Sequence, residues 1–333
     1  MGQSSLLAAD LVLEGGGVLG IGHVGVISVL ENAGYSFPRV AGTSAGSIVG
    51  ALVAAGMPSS RITEIMSTVD YRRFADRSLL DWIPVGGPLL SLLKDDGVFE
   101  GDYLREWLGN LLVEECGVET FADLAIDDPN SSLPPERRYR LVITATDVTR
   151  GELRHFPWDY QRAYGLDPDR QLVVDAVRAS MSIPFFYEPT TLTGSNSTSS
   201  TLVDGGVLSN FPIDIFDRTD GERPRWPTFG VKLLPVLPMD AATVLPIAGL
   251  FKHGPVALAA NLAMTAIVGR DQAHLSKPWV KVRTMQVDTG GVNPVDFWLS
   301  RAQATTLFEN GQAAATRFLA DWDWQEYLAT YRT

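Results

Sequence analysis

The order of apolar and polar positions near the start of the chain predicts alternating strands and helices. An apolar run at residues 11–13 meets three glycines and is followed by a helical stretch. A second short run at residues 39–41 leads to another glycine, and residues 48–55 are apolar or small on every face, as in a buried helix. Gly56 and Pro58 give the signal that ends this helix. The pattern therefore predicts strand, glycine loop, helix, strand, sharp turn and helix, an order typical of an α/β fold.

The alternation continues along the chain, and the sequence contains no internal repeat. Predicted helices begin after Pro58 and lie within residues 95–113, 172–179 and 296–324. Predicted strands cover residues 139–147, 153–156, 229–234 and 279–287. The polar tract at residues 190–201 predicts a mobile loop or the tip of a hairpin.

A polar loop at residues 127–136 could pass for a linker between domains, but strong strand candidates follow it. The core elements on both sides look like parts of one sheet. We therefore expect a single domain over residues 1–333. In this interpretation the motif-bearing core covers about residues 8–235, and a C-terminal strand and helices at residues 236–333 pack on it.

Two uncharged stretches are candidates for contact with lipid. Residues 82–93 mix turn formers with large apolar side chains, which favours a loop that covers the core over a flap above an acyl site. Residues 254–269 are fewer than the roughly 20 residues that a membrane-spanning helix needs. We expect a buried helix there, with an interfacial surface as the alternative.

Composition narrows the classes of partner. The formal net charge is −12 and the pI is about 4.8, which argues against nucleic acid and against electrostatic docking on an anionic membrane. Cys116 is the only cysteine, so an intrachain disulfide and a cysteine-based metal site are both excluded. The first ten residues lack a basic segment followed by an apolar core. We expect a cytoplasmic protein whose contact with lipid, if any, is peripheral and apolar.

The first candidate for chemistry is a serine. Residues 42–46 read G-T-S-A-G, which fits the G-x-S-x-G nucleophile elbow with Ser44 at its tip. Gly42 and Gly46 permit a strained turn from strand to helix, and that turn lifts the hydroxyl to a helix N-terminus. The helix dipole there favours a developing alkoxide.

The second candidate is the loop of Gly15, Gly16 and Gly17. Consecutive glycines can turn several backbone N–H groups toward one point and form an anion cradle. Residues 15–20 also spell G-x-G-x-x-G, the dinucleotide-binding fingerprint. A nucleotide site needs an acidic residue at the end of the next strand. Residues 39–44, which occupy this position, contain no acidic residue. Nucleotide binding is therefore the weaker alternative.

A serine hydroxyl needs a group that accepts its proton. A triad in the order serine, acid, histidine would use His253 or His274, whose surroundings favour surface positions. Asp204 instead follows a short apolar run and precedes Gly205 and Gly206, which permit close approach of the carboxylate. Either kind of base is compatible with the residues alone.

Four local motifs in order resemble those of the patatin-like phospholipases, over about residues 11–212. They are the glycine loop at residues 15–20, the elbow at residues 42–46, a middle block at residues 179–184 and an acid block. The acid block combines D-G-G at residues 204–206 with N-F-P at residues 210–212. Leu19 departs from the family pattern, which usually has Arg or Lys there, and Glu14 stands where Asp is common.

The resemblance implies a three-layer sandwich with a central, mostly parallel sheet flanked by helices. It also implies a dyad of Ser44 as nucleophile and Asp204 as general base, with no histidine, metal or organic cofactor. The expected substrate is a phospholipid or lysophospholipid ester, cleaved through an acyl-enzyme, with no nucleic-acid partner. The alternatives are a histidine-dependent esterase and a non-catalytic lipid-binding module. The expected site consists of Ser44, Asp204, Gly15, Gly16, Gly17, Gly42, Gly46, Gly205 and Gly206.

Overall fold

The computed structural model describes residues 7–74, 100–129, 131, 133–184, 186–234, 277–292, 294 and 298–332. Its centre is a mixed eight-stranded sheet with the order β10-β9-β2-β4-β5-β8-β7, in which β6 also pairs with β5. The pairs β10–β9, β9–β2, β2–β4 and β4–β5 are parallel, and the pairs that involve β6, β7 and β8 are antiparallel. The strands of this sheet are β2 (Asp10–Leu13), β4 (Val40–Thr43), β5 (Leu141–Asp147), β6 (Glu152–Phe156), β7 (Thr190–Thr193), β8 (Ser199–Asp204), β9 (Thr228–Leu234) and β10 (Thr284–Asp288). Two further short strands, β1 (Leu7–Ala8) and β3 (Tyr35–Ser36), pair with each other.

The helices cover the sheet on its faces, which is why the central strands are uninterrupted buried runs. Successive strand residues point to opposite faces. Leu11 and Leu13 join the larger core with the helices, whereas Val12 joins a smaller core with Phe211 and Val280. The helices are α1 (Ile21–Asn32), α2 (Ala45–Ala54), α3 (Ser59–Thr68), α4 (Asp102–Cys116), α5 (Val173–Ser180), α6 (Pro278–Lys281), α7 (Arg301–Asp321) and α8 (Trp324–Tyr331). The α/β class and the flanked central sheet are confirmed.

Three glycines let α1 and α7 touch backbone to backbone. A Cβ atom at Gly25 would lie 2.1 Å from the carbonyl oxygen of Phe308, and one at Gly311 would lie 2.2 Å from that of Gly22. The sequence pattern did not reveal this crossing, because the glycines are far apart in the chain. It attaches the C-terminal helix to the helix that follows the glycine loop.

Several predicted elements take a different form in the structure. The strand expected at residues 279–287 is wrong in its first half, which forms α6, because Pro278 starts a helical turn and the strand begins only at Thr284. The polar tract at residues 190–201 belongs to a hairpin of β7 and β8. This agrees with the hairpin that was one of the two expectations for this tract. The stretches at residues 82–93 and 254–269 lie outside the described residues. Within the described residues, none of the helices combines the length and the apolar character needed to cross a bilayer.

Candidate active site

Ser44 lies at the sharp turn between β4 and α2, where the G-x-S-x-G pattern predicts it. Its backbone has φ 51° and ψ −127°, on the positive-φ side that residues other than glycine rarely adopt. Such strain costs on the order of 1–3 kcal/mol and persists only where the surrounding structure fixes it. The turn places Ser44 at the amino end of α2, where the helix dipole stabilises negative charge on Oγ.

Close backbone contacts require both glycines of the elbow. A Cβ atom at Gly42 would lie 2.3 Å from the carbonyl oxygen of Gly46. One at Gly46 would lie 2.4 Å from the carbonyl oxygen of Leu13, the last residue of β2. Larger residues would therefore push α2 away from β2. The two glycines keep Ser44 beside the glycine loop that follows β2.

The sheet register brings Asp204 to the same place. Thr43 of β4 pairs with Thr144 of β5, and the next residue of β5, Ala145, pairs with Asp204 of β8. Ser44 directly follows Thr43, so the serine turn and Asp204 meet at the end of β4, across β5. Residues 160 positions apart in the sequence are thus joined by strand pairing alone.

One carboxylate oxygen of Asp204 is anchored and the other is not. Oδ1 accepts a hydrogen bond from the N–H of Gly206 at 2.7 Å. Oδ2 is buried and has no hydrogen-bond partner within the described parts of the chain. A Cβ atom at Gly205 would lie 2.6 Å from the carbonyl oxygen of Thr144, so this glycine lets the turn lie against β5. Gly205 thus allows the close approach that the sequence suggested for this glycine.

Burial raises the pKa of Asp204 from 3.8 to about 7, although the Ser44 hydroxyl and the Gly206 N–H both favour the charged form. The residue is 2% exposed, and loss of water penalises a carboxylate. The Ser44 hydroxyl is close enough to act on this pKa. Its Oγ nevertheless donates to Sδ of Met181, at 3.5 Å, rather than to Oδ2 in this arrangement.

The glycine loop offers fewer donors than its sequence suggests. The N–H of Gly15 donates to the carbonyl oxygen of Asn210 at 3.3 Å. The N–H groups of Gly16 and Gly17 have no acceptor among the residues that the structure describes. Gly17 has φ +54°, and a Cβ atom there would lie 1.9 Å from the carbonyl oxygen of Pro294. Among the described residues, the N–H of Gly15 is thus engaged, and those of Gly16 and Gly17 remain available as donors.

Side chains from the acid block and from β9 hold this loop. Asn210 Nδ2 donates to the carbonyl oxygen of Gly15 at 3.2 Å. The buried carboxylate of Glu14 accepts the N–H of Leu233 at 2.7 Å and forms an ion pair with the buried Lys232 of β9. A lysine inside an apolar strand was the sequence signal for this contact, and it was not recognised. These bonds fix the start of the loop to β9 and to the segment after Asp204.

The middle block meets Ser44 directly. Oγ of Ser180, the last residue of α5, accepts the backbone N–H of Ser44 at 2.8 Å. The buried Arg178 holds this block in place, because its guanidinium donates to Oγ of Ser182 at 2.7 Å and to the carbonyl oxygen of Glu188 at 3.0 Å. The motif was recognised in the sequence, but these roles depend on tertiary contacts that the sequence does not show.

An apolar cavity of about 30 Å³ adjoins the serine turn. It extends from Gly17 and Met181 toward Phe74 and Trp107. This volume is close to that of one water molecule in the liquid, so the cavity as it stands is a narrow seam between apolar side chains. It provides the surface on which the hydrocarbon part of a substrate could lie after a small movement of these side chains.

The described histidines are engaged elsewhere. His23 is fully buried in α1, with Nε2 2.8 Å from the carbonyl oxygen of Glu14, and burial lowers its pKa to about 4. Nδ1 of His155 lies 3.7 Å from the carboxylate of Asp159. His253 and His274 lie outside the described residues. The buried Asp147 accepts the N–H of Arg150 at 3.1 Å and so caps the turn after β5.

A family model for patatin-like phospholipases matches residues 11–217. The match covers more than half of the chain and includes the glycine loop, the elbow, the middle block and Asp204. The chain belongs to the patatin-like phospholipase family. It is therefore a hydrolase of lipid esters, as its motifs indicated.

Individual relatives agree with this family. The uncharacterized protein YqhO of Bacillus subtilis is 34% identical over 321 residues, which are 94% of this chain and 98% of YqhO. The lysophospholipase nte1 of Aspergillus fumigatus is 57% identical over 211 residues, which are 62% of this chain but only 11% of the fungal protein. The crystal structure of VipD from Legionella pneumophila has a TM-score of 0.51 at 17% identity and covers 94% of this chain and 66% of VipD. At this identity the likeness to VipD shows the shared fold alone.

Patatin-like proteins usually carry a cation just before the last glycine of the loop, and this chain has Leu19 there. Leu19 is 1% exposed and belongs to the larger core, so it is a packing residue. A buried cation nevertheless meets the start of the loop, because Lys232 pairs with Glu14. Glu14 and Leu19, the two departures from the family pattern, thus lie at the start of the loop and within it. Lys232 of β9 balances the negative charge of Glu14.

Proposed function

We propose that this patatin-like protein cleaves phospholipid or lysophospholipid esters with Ser44 as the nucleophile and Asp204 as the general base. The observation that carries the proposal is the buried Oδ2 of Asp204. It lies near the Ser44 hydroxyl, without a hydrogen-bond partner among the described residues, on a carboxyl whose pKa is raised to about 7. The expected reaction needs neither a metal nor an organic cofactor.

In the first step, Oγ of Ser44 attacks the acyl carbonyl carbon and passes its proton to Oδ2 of Asp204. A rotation of the Ser44 hydroxyl from Met181 to Asp204 precedes this transfer. The protonated Asp204 then gives the proton to the leaving alcohol, and an acyl-enzyme remains on Ser44. Water then attacks the acyl carbon while Asp204 accepts its proton. Asp204 returns the proton to Oγ of Ser44, and the fatty acid is released.

The raised pKa explains why an aspartate can serve as the base. A free aspartate, with a pKa of roughly 3.9, holds a proton too weakly to act well at neutral pH. Burial moves Asp204 close to the operating pH, where a general base is most effective. The N–H of Gly206 fixes one oxygen, so the other keeps its direction toward the serine turn.

The oxyanion of the tetrahedral intermediate would lie against the N–H groups of Gly16 and Gly17. Such fixed donors are each worth on the order of 3 kcal/mol in the transition state. The hydrogen bonds from Asn210 and the Glu14–Lys232 pair hold the loop before substrate arrives, so little reorganisation is needed. Gly15 supports the loop instead of donating to the oxyanion.

The substrate class follows from the family and from the apolar seam beside Ser44. The name of the fungal relative specifies a lysophospholipase, and the apolar surface near Met181 and Trp107 offers hydrocarbon contacts beside Ser44. The strongly acidic chain favours apolar over electrostatic contact with lipid. A cytoplasmic location with peripheral contact to lipid is part of the same proposal.

The test is hydrolysis of palmitoyl lysophosphatidylcholine and of dipalmitoyl phosphatidylcholine, followed by release of palmitate. Wild type is expected to release palmitate, whereas Ser44→Ala and Asp204→Asn lose at least a hundredfold in kcat with unchanged folding by circular dichroism. Asp123→Asn, on the surface, serves as the control and keeps the wild-type rate. A near-wild-type rate for Asp204→Asn together with loss of activity in His253→Ala or His274→Ala would instead establish a histidine-dependent esterase.

A further inference from the structure

A second cavity lies at the opposite edge of the sheet from Ser44. Its volume is about 530 Å³, within the range of sites for small organic molecules. Its walls include Asp10, Arg39 and Arg283, which stand at the amino ends of β2, β4 and β10. The catalytic loops follow the carboxyl ends of β2 and β4. Four-residue strands separate the two edges by about 13 Å.

Arginines and aromatic rings alternate on the walls of this cavity. The guanidinium of Arg39 lies 4.6 Å from the ring centre of Phe216, and that of Arg225 lies 4.7 Å from the ring centre of Trp226. The guanidinium of Arg137 lies 5.0 Å from the ring centre of Trp158. These stacks hold flat cationic and aromatic surfaces side by side, a combination that suits a flat anionic ligand.

The cavity carries positive charge in an acidic protein. Seven arginines and five acidic residues line it, an excess of two positive charges, whereas the whole chain has a formal charge of −12. The arginines are Arg39, Arg137, Arg140, Arg218, Arg225, Arg283 and Arg332. The acidic residues are Asp10, Asp128, Asp217, Asp220 and Glu222.

Buried donors along this wall lack hydrogen-bond partners in the described residues. Arg283 is 1% exposed and uses its two terminal nitrogens on Asp217, at 2.6 and 2.8 Å, while its Nε has no partner. Nε of Arg332 and Nε1 of Trp158 are likewise buried without partners. Tyr327 is 4% exposed, and its buried hydroxyl has no hydrogen-bond partner in the described residues. Buried polar groups are normally paired, so these four donors point to a ligand.

Two further arginines on the cavity wall are available to an anion. Arg137 and Arg140 are exposed, and neither makes an ion pair within the described part of the chain. The other arginines named above share carboxylates, as Arg39 does with Asp10 and Arg225 with Asp128. Arg137 and Arg140 therefore remain available to an anion in a cavity whose walls carry an excess of two positive charges.

We propose that this cavity binds a small organic phosphate that carries a flat ring. A phosphate monoester has close to two negative charges at neutral pH, which matches the excess on the walls. Guanidinium groups bind phosphate oxygens through paired N–H donors. The ring lies among the tryptophans, and the phosphate lies between Arg137 and Arg140. The site is separate from Ser44 and does not depend on its chemistry.

The test is binding of 1-naphthyl phosphate to the full chain, measured by ligand fluorescence and calorimetry. Wild type and Ser44→Ala are expected to bind it with equal affinity, inorganic phosphate more weakly, and neutral 1-naphthol weakly or not at all. The double variant Arg137→Ala/Arg140→Ala is expected to lose at least tenfold in affinity, because charged hydrogen bonds are lost. Arg301→Ala, an exposed arginine away from the cavity, is the matched control.

Tyr327→Phe removes one hydroxyl without changing the shape of the wall. It is expected to keep the melting temperature and to weaken binding several-fold. Absence of saturable binding by wild type at millimolar ligand would overturn the proposal. So would equal affinity in the double variant and Arg301→Ala, equal affinity for 1-naphthol, or loss of binding in Ser44→Ala, which would place the ligand in the catalytic site.

Discussion

At the scale of single residues, Asp204, which we propose as the general base, carries a cost in stability. Its pKa is 3.8 in the unfolded chain and about 7 in the folded protein, so the folded state holds the proton more tightly between these pH values. The folded state therefore loses stability as pH rises through this window, by about 4 kcal/mol at pH 8. Stabilising substitutions at such positions commonly abolish function.

Asp204→Asn is accordingly expected to unfold at higher urea concentration than wild type at pH 8, and to show a much smaller difference at pH 5. Asp123→Asn is the matched control, because its stability against urea is expected to change in the opposite direction. The backbone N–H groups of Glu119 and Thr120 lower the pKa of Asp123, so its charged form stabilises the fold and its loss destabilises it. If Asp204→Asn showed no gain in stability that depends on pH, the Asp204 carboxyl would not be buried with a tightly held proton in the folded state.

The sequence points to Ser44 and Asp204 as candidates because each lies in a short motif with its own glycines. It could not reveal that the pKa of Asp204 is near neutrality, since that depends on strands from distant parts of the chain. For the same reason the contacts of Asn210 and Lys232 with the glycine loop were not predicted. Local patterns indicate which groups are candidates for chemistry, and tertiary packing determines their pKa values and contacts.

At the scale of elements, the crossing of α1 and α7 holds the glycine loop from behind. Gly311→Ala is expected to destabilise the protein by about 2 kcal/mol, because the new Cβ would overlap the carbonyl oxygen of Gly22. Gly109→Ala in α4 is the control. Its Cβ would meet Val174 at an ordinary 3.9 Å, and alanine favours helix, so a gain of up to about 1 kcal/mol is expected. Urea denaturation measures both, and equal effects would contradict the tight crossing.

Element types were predictable where periodicity was strong. β5 is an apolar run of β-branched residues, and α4 has its leucines on one face, so both appear as expected. The strand beginning at residue 279 failed because Pro278 favours a helical turn, a local effect that outweighed the apolar run. Helix crossings through glycine cannot be read from one sequence, because a glycine in a helix looks the same whether or not a partner touches it.

At the scale of the whole molecule, the C-terminal part packs against the part of the chain that carries the proposed site. β9 lies between β2 and β10, and α7 packs on α1, although the family match ends at residue 217. We propose that the chain is one folding unit. A chain that ends at residue 234 would leave the edge of β9 and the glycine face of α1 exposed, and it is expected to be insoluble or unfolded. A soluble fragment of this length that still cleaves lipid esters would contradict the single-domain proposal.

The proposed activation of Ser44 by Asp204 can be followed through the rate at which a fluorophosphonate labels Ser44. Followed by intact mass and peptide mapping from pH 5 to 9, labelling of wild type is expected to rise through about pH 7 as Asp204 loses its proton, and then to level off. Ser44→Ala is expected to remain unlabelled, and Asp204→Asn to react at least a hundredfold more slowly without this pH dependence. A rate for Asp204→Asn equal to that of wild type, or an adduct on another serine, would contradict the account.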